Sequence, residues 1–576
     1  MKGSEYIAKS WLAYGVEAIF LVPTNLFDSL VMLEGTGVRR VLTHGEKAAG
    51  YMADGYAKAA GRPGIVISQG GPGATNLAAG LAEPWQASTP VIAFTGARSG
   101  AQAYKNAYQD VRAHFESVTK FSADVTRTER LADLIPQAFR EATSGDPRPV
   151  HLAIAAEAEA GEADLPEPVG DPRYATCPSV RAEPPAEGID EALALLLQAE
   201  RPVIIAGGGV MTAGAWPELI ELAEKLAIPV ATSLSGKGAI NENHPLAVGV
   251  LGSYARKSAN EIVANADLAL IVGTRTGSQS TNGWTLPSRE ADIIHINVDP
   301  SELGRNFPAN TRVAVAADAK VALSALVAAA GDTVRPPGEW VAEVQRIVRH
   351  WWEGKEPLLA SADAPIRPER LCRELTETLP PDAVVVADTG YAAAWSGAFF
   401  ELRQPGKRFF RCEGSLGWAL PAAQGVKVAV GETPVICFTG DGGFWYHLGE
   451  LETAVRYGLN VVYVVLNNHA LAFDTHILDF RFESKAYELA EFGDVDFSAV
   501  ARAVGCDGVR VTDPAQLRGA IEDALGNSRP TVIDVVIDHD AVAPVTAYDR
   551  AGRRERMVVD DLDEIVTSRG DGGAPA

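Results

Sequence analysis

VICFTGDGGFWYHLGELETAVRYGLNVVYVVLNNHA, residues 435–470, is the stretch that decides how this chain folds. An apolar strand at 435–438 runs into a glycine turn carrying one carboxylate, Asp441. Leu448, Leu451, Val455 and Leu459 then recur at helical spacing, so a crossover helix follows. A second apolar strand, 461–466, delivers Asn467 and Asn468 to the same edge of the sheet. Strand–helix–strand units cross over right-handedly, which sets the two strand C-termini side by side. A hard divalent cation such as Mg²⁺ takes oxygen ligands in octahedral array and fills much of its shell with phosphate oxygens. Asp441, the side-chain oxygen of Asn468 and the carbonyl of Ala470 offer ligands of that kind. The turn at Gly440, Gly442 and Gly443 leaves backbone N–H groups for phosphate at a helix N-terminus. An ordinary glycine turn and an Asx turn would explain each piece, but not their joint placement. The stretch reads as a metal–diphosphate clamp.

The same alternation of strand and helix extends along the chain in three blocks. The first, 1–165, has strands in VEAIFLV, RRVLTH, GIVISQ, PVIAFTG and PVHLAIA. A run rich in Pro, Glu and Ala, 157–188, lacks periodicity and reads as a surface linker. The second block, 189–330, carries PVIIAGG, PVATSL, LALIVGT and IIHINVD. A single helix bearing Trp351 and Trp352 leads to the third, 367–545, with AVVVADT, RFFRC, PVICFTG, VVYVVLN and PTVIDVVID. The expected fold class is therefore α/β, three doubly wound domains with parallel sheets covered on both faces. The tail, 546–576, is charged and ends in RGDGGAPA; it reads as partly disordered, with Arg553, Arg554 and Arg556 a solvated face or part of a lid.

Composition removes several function classes. A net charge of −23 speaks against nucleic acid and anionic membrane surfaces as partners. Five scattered cysteines without CxxC spacing give neither a disulfide framework nor a zinc site. The N-terminus reads as an amphipathic helix rather than a signal peptide, and no apolar run is long enough to span a bilayer. The expectation is a cytoplasmic enzyme.

The 435–470 unit resembles the cofactor motif of thiamine-diphosphate (ThDP) enzymes, which begins GDG and ends NN; here Asn468 lies 27 positions after Asp441. Residues 43–80, THGEKAAGYMADGYAKAAGRPGIVISQGGPGATNLAAG, resemble that family's pyrimidine-domain signature, and Glu46 occupies the position of its activating glutamate. Gly45 stands where the family usually has histidine. The resemblance implies that Glu46 hydrogen-bonds the cofactor's pyrimidine ring from a neighbouring subunit and drives the tautomer shift that ionises thiazolium C2. Residues 413–423, EGSLGWALPAA, match the segment that bends the cofactor. Leu416 takes the wedge position there, and the Gly414 carbonyl accepts from the pyrimidine amine. Gly390, Tyr391 and Ala392 fall at the other diphosphate turn, where relatives carry Gln-His, and Leu471 follows the second strand.

The match runs through the whole chain. It lies closest to the acetohydroxyacid (acetolactate) synthase, pyruvate oxidase and benzoylformate decarboxylase group. It implies a ThDP- and Mg²⁺-dependent carboligase or lyase working on the bond beside a 2-oxo or 2-hydroxy carbonyl, through C2-carbanion and enamine intermediates. A homodimer is the minimum and a homotetramer expected. The substrate is a small 2-oxo or 2-hydroxy acid or its CoA ester. The alternatives are a benzoylformate-type decarboxylase, a 2-hydroxyacyl-CoA lyase or oxalyl-CoA decarboxylase, and an FAD-dependent pyruvate oxidase. The middle block resembles the domain that holds FAD in synthases and CoA in oxalyl-CoA decarboxylases, and Gly207, Gly208 and Gly209 follow its first strand; FAD is a candidate there but not favoured.

Substrate-facing positions depart from the synthases. Gln109, after Tyr108, stands near the site from the neighbouring subunit; Gly70 lacks the histidine of benzoylformate decarboxylase; and Asn25, after Pro23 and Thr24, replaces a glycine. Asp474 and His476 are candidate acid/base residues, with His469 and Phe473 as candidate substrate contacts. Ile477 sits where synthases have a gating tryptophan. The missing acid/base histidines favour ligation or its reverse, while the departures from the synthases at 468–477 speak against branched-chain biosynthesis.

Overall fold

The computed structural model describes residues 1–23, 25–97, 105, 109–482 and 484–546. Thr24, Tyr108 and the tail with its basic cluster lie outside the described residues. Three six-stranded sheets, every pairing parallel, organise the rest. The first contains β1 (Ala18–Leu21), β2 (Arg39–Leu42), β3 (Gly64–Ile67), β4 (Val91–Ala97), β5 (Phe121–Val125) and β6 (Val150–Ala155), in the order 2-1-3-4-6-5. The second contains β7 (Pro202–Ala206), β8 (Val230–Thr232), β9 (Ala247–Val250), β10 (Leu268–Val272), β11 (Asp292–Asn297) and β12 (Thr311–Ala316), in the order 12-11-10-7-8-9. The third contains β13 (Val384–Ala387), β14 (Phe409–Arg411), β15 (Val435–Gly440), β16 (Val461–Asn467), β17 (Asp507–Val511) and β18 (Thr531–Val536). Its order, 14-13-15-16-18-17, repeats that of the first sheet step for step. Each sheet is α/β and doubly wound, as the alternation in the sequence requires.

Period-two alternation explains why these apolar runs are continuous. Along β16, Val462, Val464 and Leu466 enter one core while Val461, Tyr463 and Val465 enter the core on the opposite face. A strand covered on both faces has no polar side, so it reads as an unbroken hydrophobic run.

Four strands escaped the sequence reading: β5, β9, β12 and β17. All four are sheet edges. An edge strand is short or half-exposed; β5 and β17 each bury a single residue fully, and β12 only alternate ones. The crossover after β15 also differs from expectation. It is two helices, Asp441–Trp445 and Glu450–Tyr457, separated by a turn, rather than one. Trp351 packs on the third domain, stacked on Phe399 at 5.5 Å between ring centroids.

The first and third domains of one chain meet at backbone contact. Helix Glu46–Ala60 crosses helix Ala419–Val430, and a Cβ added at Gly55 would lie 2.2 Å from the Ala422 carbonyl oxygen. One added at Gly425 would lie 1.9 Å from the Met52 carbonyl oxygen. Both glycines are there to let the helices touch. The middle domain is held to the third by a buried ion cluster. Glu242 accepts from Lys237 Nζ at 2.7 and 2.9 Å, from Arg256 at 3.3 Å and from the Leu402 N–H at 3.0 Å. Arg256 also donates to the Ala398 carbonyl at 2.8 Å.

His151, on β6 of the first sheet, gives acid sensitivity a definite origin. It is fully buried, stacked on Phe115 and hydrogen-bonded to Thr95 and Ser122, and burial lowers its pKa to about 3. The unfolded chain therefore binds the extra proton. This group's contribution is full above about pH 6.5 and is lost as pH falls toward about 3, so at pH 5 it costs about 2 kcal/mol. We expect His151→Gln to flatten the fall in urea midpoint between pH 7 and pH 5. An unchanged slope would remove this cause.

Candidate active site

The strand-to-turn junctions of the third sheet converge on one cavity of about 210 Å³. Asp441 opens the helix after β15 and is 2% exposed. Its carboxylate accepts from the Gly442 N–H at 2.8 Å and from the Ala470 N–H at 3.1 Å. Burial raises its pKa to about 7, which the backbone N–H donors of Gly442, Ala470, His469 and Asn468 only partly offset. Asn467 ends β16 with its amide nitrogen donating to Asp534 and to the Val495 carbonyl, which fixes the chain so that the next residue, Asn468, lines the cavity beside Asp441. The turn 389–392, Leu416, the run 440–443 and the run 470–474 complete most of the wall.

Glycine geometry tests what this cavity can hold. A Cβ added at Gly390, Gly414 or Gly440 would meet nothing within 4 Å, whereas one at Gly442 would strike Leu471 at 2.5 Å and one at Gly443 would strike Asp388 and Thr439 at 2.8 Å. The floor is packed and the open side is bare backbone, the shape of a phosphate cradle. One buried carboxylate with an amide and a carbonyl nearby is a hard-oxygen set short of ligands, which suits Mg²⁺ completed by phosphate oxygens. Among the described residues no cluster of three or more His, Cys, Asp or Glu offers a rival metal site.

Two residues that the sequence did not single out brace this wall. Asp388, ending β13, is fully buried with its pKa raised to about 6 by burial; it accepts from the N–H groups of Thr389 and Gly417 and from the Thr439 hydroxyl. Glu83, from the first domain, is 1% exposed and accepts from the N–H groups of Glu413, Gly414 and Ser415. It holds the loop that presents Gly414 and Leu416. A carboxylate in an otherwise apolar helix, GLAEPW, was the available signal.

The remaining wall is aromatic. Tyr391 lines the cavity with Tyr254, Trp395 and Phe473, their rings 6.0 to 6.3 Å apart in edge contacts. His476 is 4% exposed, does not line the cavity, and is hydrogen-bonded through Nδ1 to the Tyr391 hydroxyl. Asp474 stands exposed at the mouth, its pKa raised by burial. His469 is placed elsewhere: its Nε2 lies 3.7 Å from Asp494, on a residue with φ of +61°, and it does not border the cavity.

The first-domain candidates form a separate group. No residue of the first domain borders this cavity. Glu46 begins its helix and accepts from Asn76 at 3.2 Å, and a Cβ at Gly73 would lie 2.8 Å from its carboxylate. Gln109 donates to Thr75 at 3.0 Å and pairs with His114 at 2.7 Å. Asn25 donates to the Ser68 carbonyl and fills the space that Gly96 leaves open, and Gly70 follows β3 in the same loop cluster. All four therefore sit at the C-terminal edge of the first sheet, the counterpart of the edge that carries Asp441.

A second, larger cavity of about 680 Å³ lies where the three domains meet. Gly208, Gly209, Thr274, Arg275, Asn297 and Glu413 are on its wall. The Gly207 and Gly209 N–H groups are committed to the carbonyls of Val272 and Gly273, so the glycine run serves close packing of two loops rather than presenting N–H groups.

The three domains coincide with three models of one family: the N-terminal TPP binding domain (residues 1–117), the central domain (189–326) and the C-terminal TPP binding domain (388–535) of thiamine pyrophosphate, that is thiamine diphosphate, enzymes. A probable acetolactate synthase large subunit from Methanocaldococcus jannaschii is 33% identical over 566 residues, covering 95% of this chain and 93% of its own length. The acetolactate synthase large subunit of Parasynechococcus marenigrum is 32% identical over 556 residues, covering 93% and 87%. The isozyme 3 large subunit of Escherichia coli acetolactate synthase is 30% identical over 567 residues, covering 93% and 95%. No helix among the described residues is long and apolar enough to cross a membrane. With all three domain models matched in order and relatives of this kind along nearly the whole chain, the chain belongs to the thiamine-diphosphate-dependent enzymes, as an acetolactate synthase-like carboligase.

Proposed function

We propose that this carboligase binds ThDP and Mg²⁺ between two copies of the chain and joins, or in reverse cleaves, the carbon–carbon bond beside the carbonyl of a small 2-oxo or 2-hydroxy acid. The observation that carries the reading is the cavity at Asp441, with its bare glycine backbone, buried carboxylate and missing first-domain wall. ThDP, when bound, supplies a nucleophilic carbon and an electron sink for the substrate carbonyl. Asp441, the Asn468 amide oxygen and the Ala470 carbonyl hold the cation. The N–H groups of the turns at Gly390 and at 440–443 hold the diphosphate, with Ala392 and Leu471 packed beside them. Leu416 and the Gly414 carbonyl orient the rings, and Glu46 of the partner subunit holds and moves a proton at the pyrimidine nitrogen. Asn25, Gly70 and Gln109 of the partner subunit face the substrate together with Phe473.

Exposed aromatics beside the cavity support completion by a second copy: Trp445 is 38%, Tyr446 57% and Phe492 39% exposed. Apolar surface of this kind around a site marks a contact face. A dimer is therefore the working unit, with a tetramer as a pair of dimers, in the cytoplasm.

The test is direct. Purified chain given ThDP, Mg²⁺ and pyruvate should release CO₂ and form acetolactate, and EDTA should abolish both. A chain inert toward pyruvate, benzoylformate and 2-hydroxyacyl-CoA alike would sink the proposal. A second reading, an FAD-dependent oxidase, draws on the three-domain cavity, which is roomy enough for part of a dinucleotide. Yellow protein that consumes oxygen with pyruvate would favour it; a colourless active protein would remove it.

A further inference from the structure

Where relatives carry Gln-His after β13 this chain has Tyr391-Ala392, and Gly70 lacks the histidine of benzoylformate decarboxylase, so the titratable groups at this wall differ from theirs. Tyr391 begins the helix Tyr391–Phe399 and borders the cavity next to Gly390 and Leu416. Behind it, outside the cavity, lies His476 of helix Ala472–Phe482, whose Nδ1 meets the Tyr391 hydroxyl. The phenol ring packs 5.4 Å from the imidazole and 6.1 Å from Phe473, so both partners are held in one arrangement. A phenol that borders the cavity and holds its hydroxyl on a buried imidazole is the layout of an acid/base relay, with the histidine as the terminal proton store.

We propose that Tyr391 and His476 form this relay, with Tyr391 as the catalytic group and His476 as the positioning and proton-holding residue behind it. When product departs, the O–H bond at the substrate-derived hydroxyl breaks and its proton passes to the Tyr391 oxygen. The Tyr391 proton moves in the same step to His476 Nδ1, leaving a neutral phenol and an imidazolium. When substrate adds, the sequence runs backward and the developing alkoxide is neutralised. Atoms and charge balance without any further reactant. The inference rests on the carboligase reading and deepens it by naming the group that handles the oxygen proton.

The surroundings suit the role. Burial keeps His476 below the ordinary imidazole range, so it is neutral and able to accept at physiological pH. Asp479 on its own helix and Asp538 and Asp540 after β18 favour the imidazolium, while His539 opposes it. Tyr391 is the group facing it from the helix Tyr391–Phe399. Neutral His476 is the form that accepts the proton at product release, so that step, and kcat with it, should fall as pH drops through its pKa, while the imidazolium it leaves supplies the proton for the next addition.

Tyr391→Phe and His476→Gln test the relay. Glutamine still offers Tyr391 a hydrogen bond but cannot take its proton. Both variants should bind ThDP, read by fluorescence quenching, within about threefold of wild type, and both should lose roughly 10²-fold in kcat together with the acid limb of the pH profile. Variants that keep kcat and the acid limb would overturn the relay while leaving the carboligase reading intact. A Tyr391→Phe variant that weakens ThDP binding but turns over normally at saturating cofactor would overturn it too, making the hydroxyl a diphosphate contact. Inert wild-type protein would overturn the carboligase reading and the relay together.

Discussion

Glu46→Gln is expected to reduce kcat by roughly 10²–10⁴ while ThDP still binds at the Asp441 clamp. Glutamine preserves the shape of the side chain and can still accept from Asn76, which holds the carboxylate at 3.2 Å. It also fits the room that Gly73 leaves beside it. What glutamine cannot do is hold and return a proton at the pyrimidine nitrogen. The loss should therefore appear in exchange of the cofactor's C2 proton, followed by NMR, and in kcat, but not in the dissociation constant for ThDP. Turnover within about tenfold of wild type would show that some other group activates the cofactor. A parallel loss of ThDP binding would instead make Glu46 a binding residue.

The second large effect concerns the joint between the middle and third domains. Lys237 and Glu242 have side chains 0% and 4% exposed, and Arg256 only 1%. Burial pushes the Lys237 amine down, whereas Lys237 and Arg256 together overcome burial and hold the Glu242 carboxyl below the ordinary range. Glu242→Gln removes the carboxylate bonded to both buried cations and leaves only the more distant Glu401 to offset them. Breaking a buried pair in this way costs about 3–5 kcal/mol. Replacing the whole group with apolar residues of similar size, as in Lys237→Met, Glu242→Leu and Arg256→Met together, should cost far less, because no charge is stranded. Urea midpoints of the single and triple variants decide the matter. If the single variant loses no more than the triple one, the cluster is solvated and the argument from burial fails.

The limits of the sequence reading follow from the same physics. Central strands such as β15 and β16 were legible because burial on both faces forces uninterrupted apolar runs. Edge strands such as β5 and β17 were not, because one exposed side dilutes that signal to the level of a loop. At the site, the stretch from Gly440 to Ala470 is a local unit, so its meeting at one sheet edge was legible from spacing alone. Asp388 was invisible, and Glu83 showed only as a carboxylate in an apolar helix, for the opposite reason. Each works by accepting N–H groups from a loop remote in sequence, and nothing in a helix or strand pattern records such a partner. The Tyr391–His476 pair joins two segments 85 residues apart, and only the fold puts them together. His469 shows the converse, since it adjoins Asn468 in sequence yet does not border this cavity.

The glycine crossing of the first and third domains bears on how substrate gets in. Helices separated by interlocking side chains can shear past one another by repacking rotamers, as sliding domains do. Here carbonyl oxygens of Met52 and Ala422 sit where those rotamers would be, so there is no deformable layer to accommodate a slide. The two domains must travel as a single rigid body, and opening cannot come from a hinge between them. Access then falls to the parts hung on that body, the helix Ala472–Phe482 that carries His476 and the middle domain clipped on by Glu242. The element that admits substrate would thus be the same one that stores its proton.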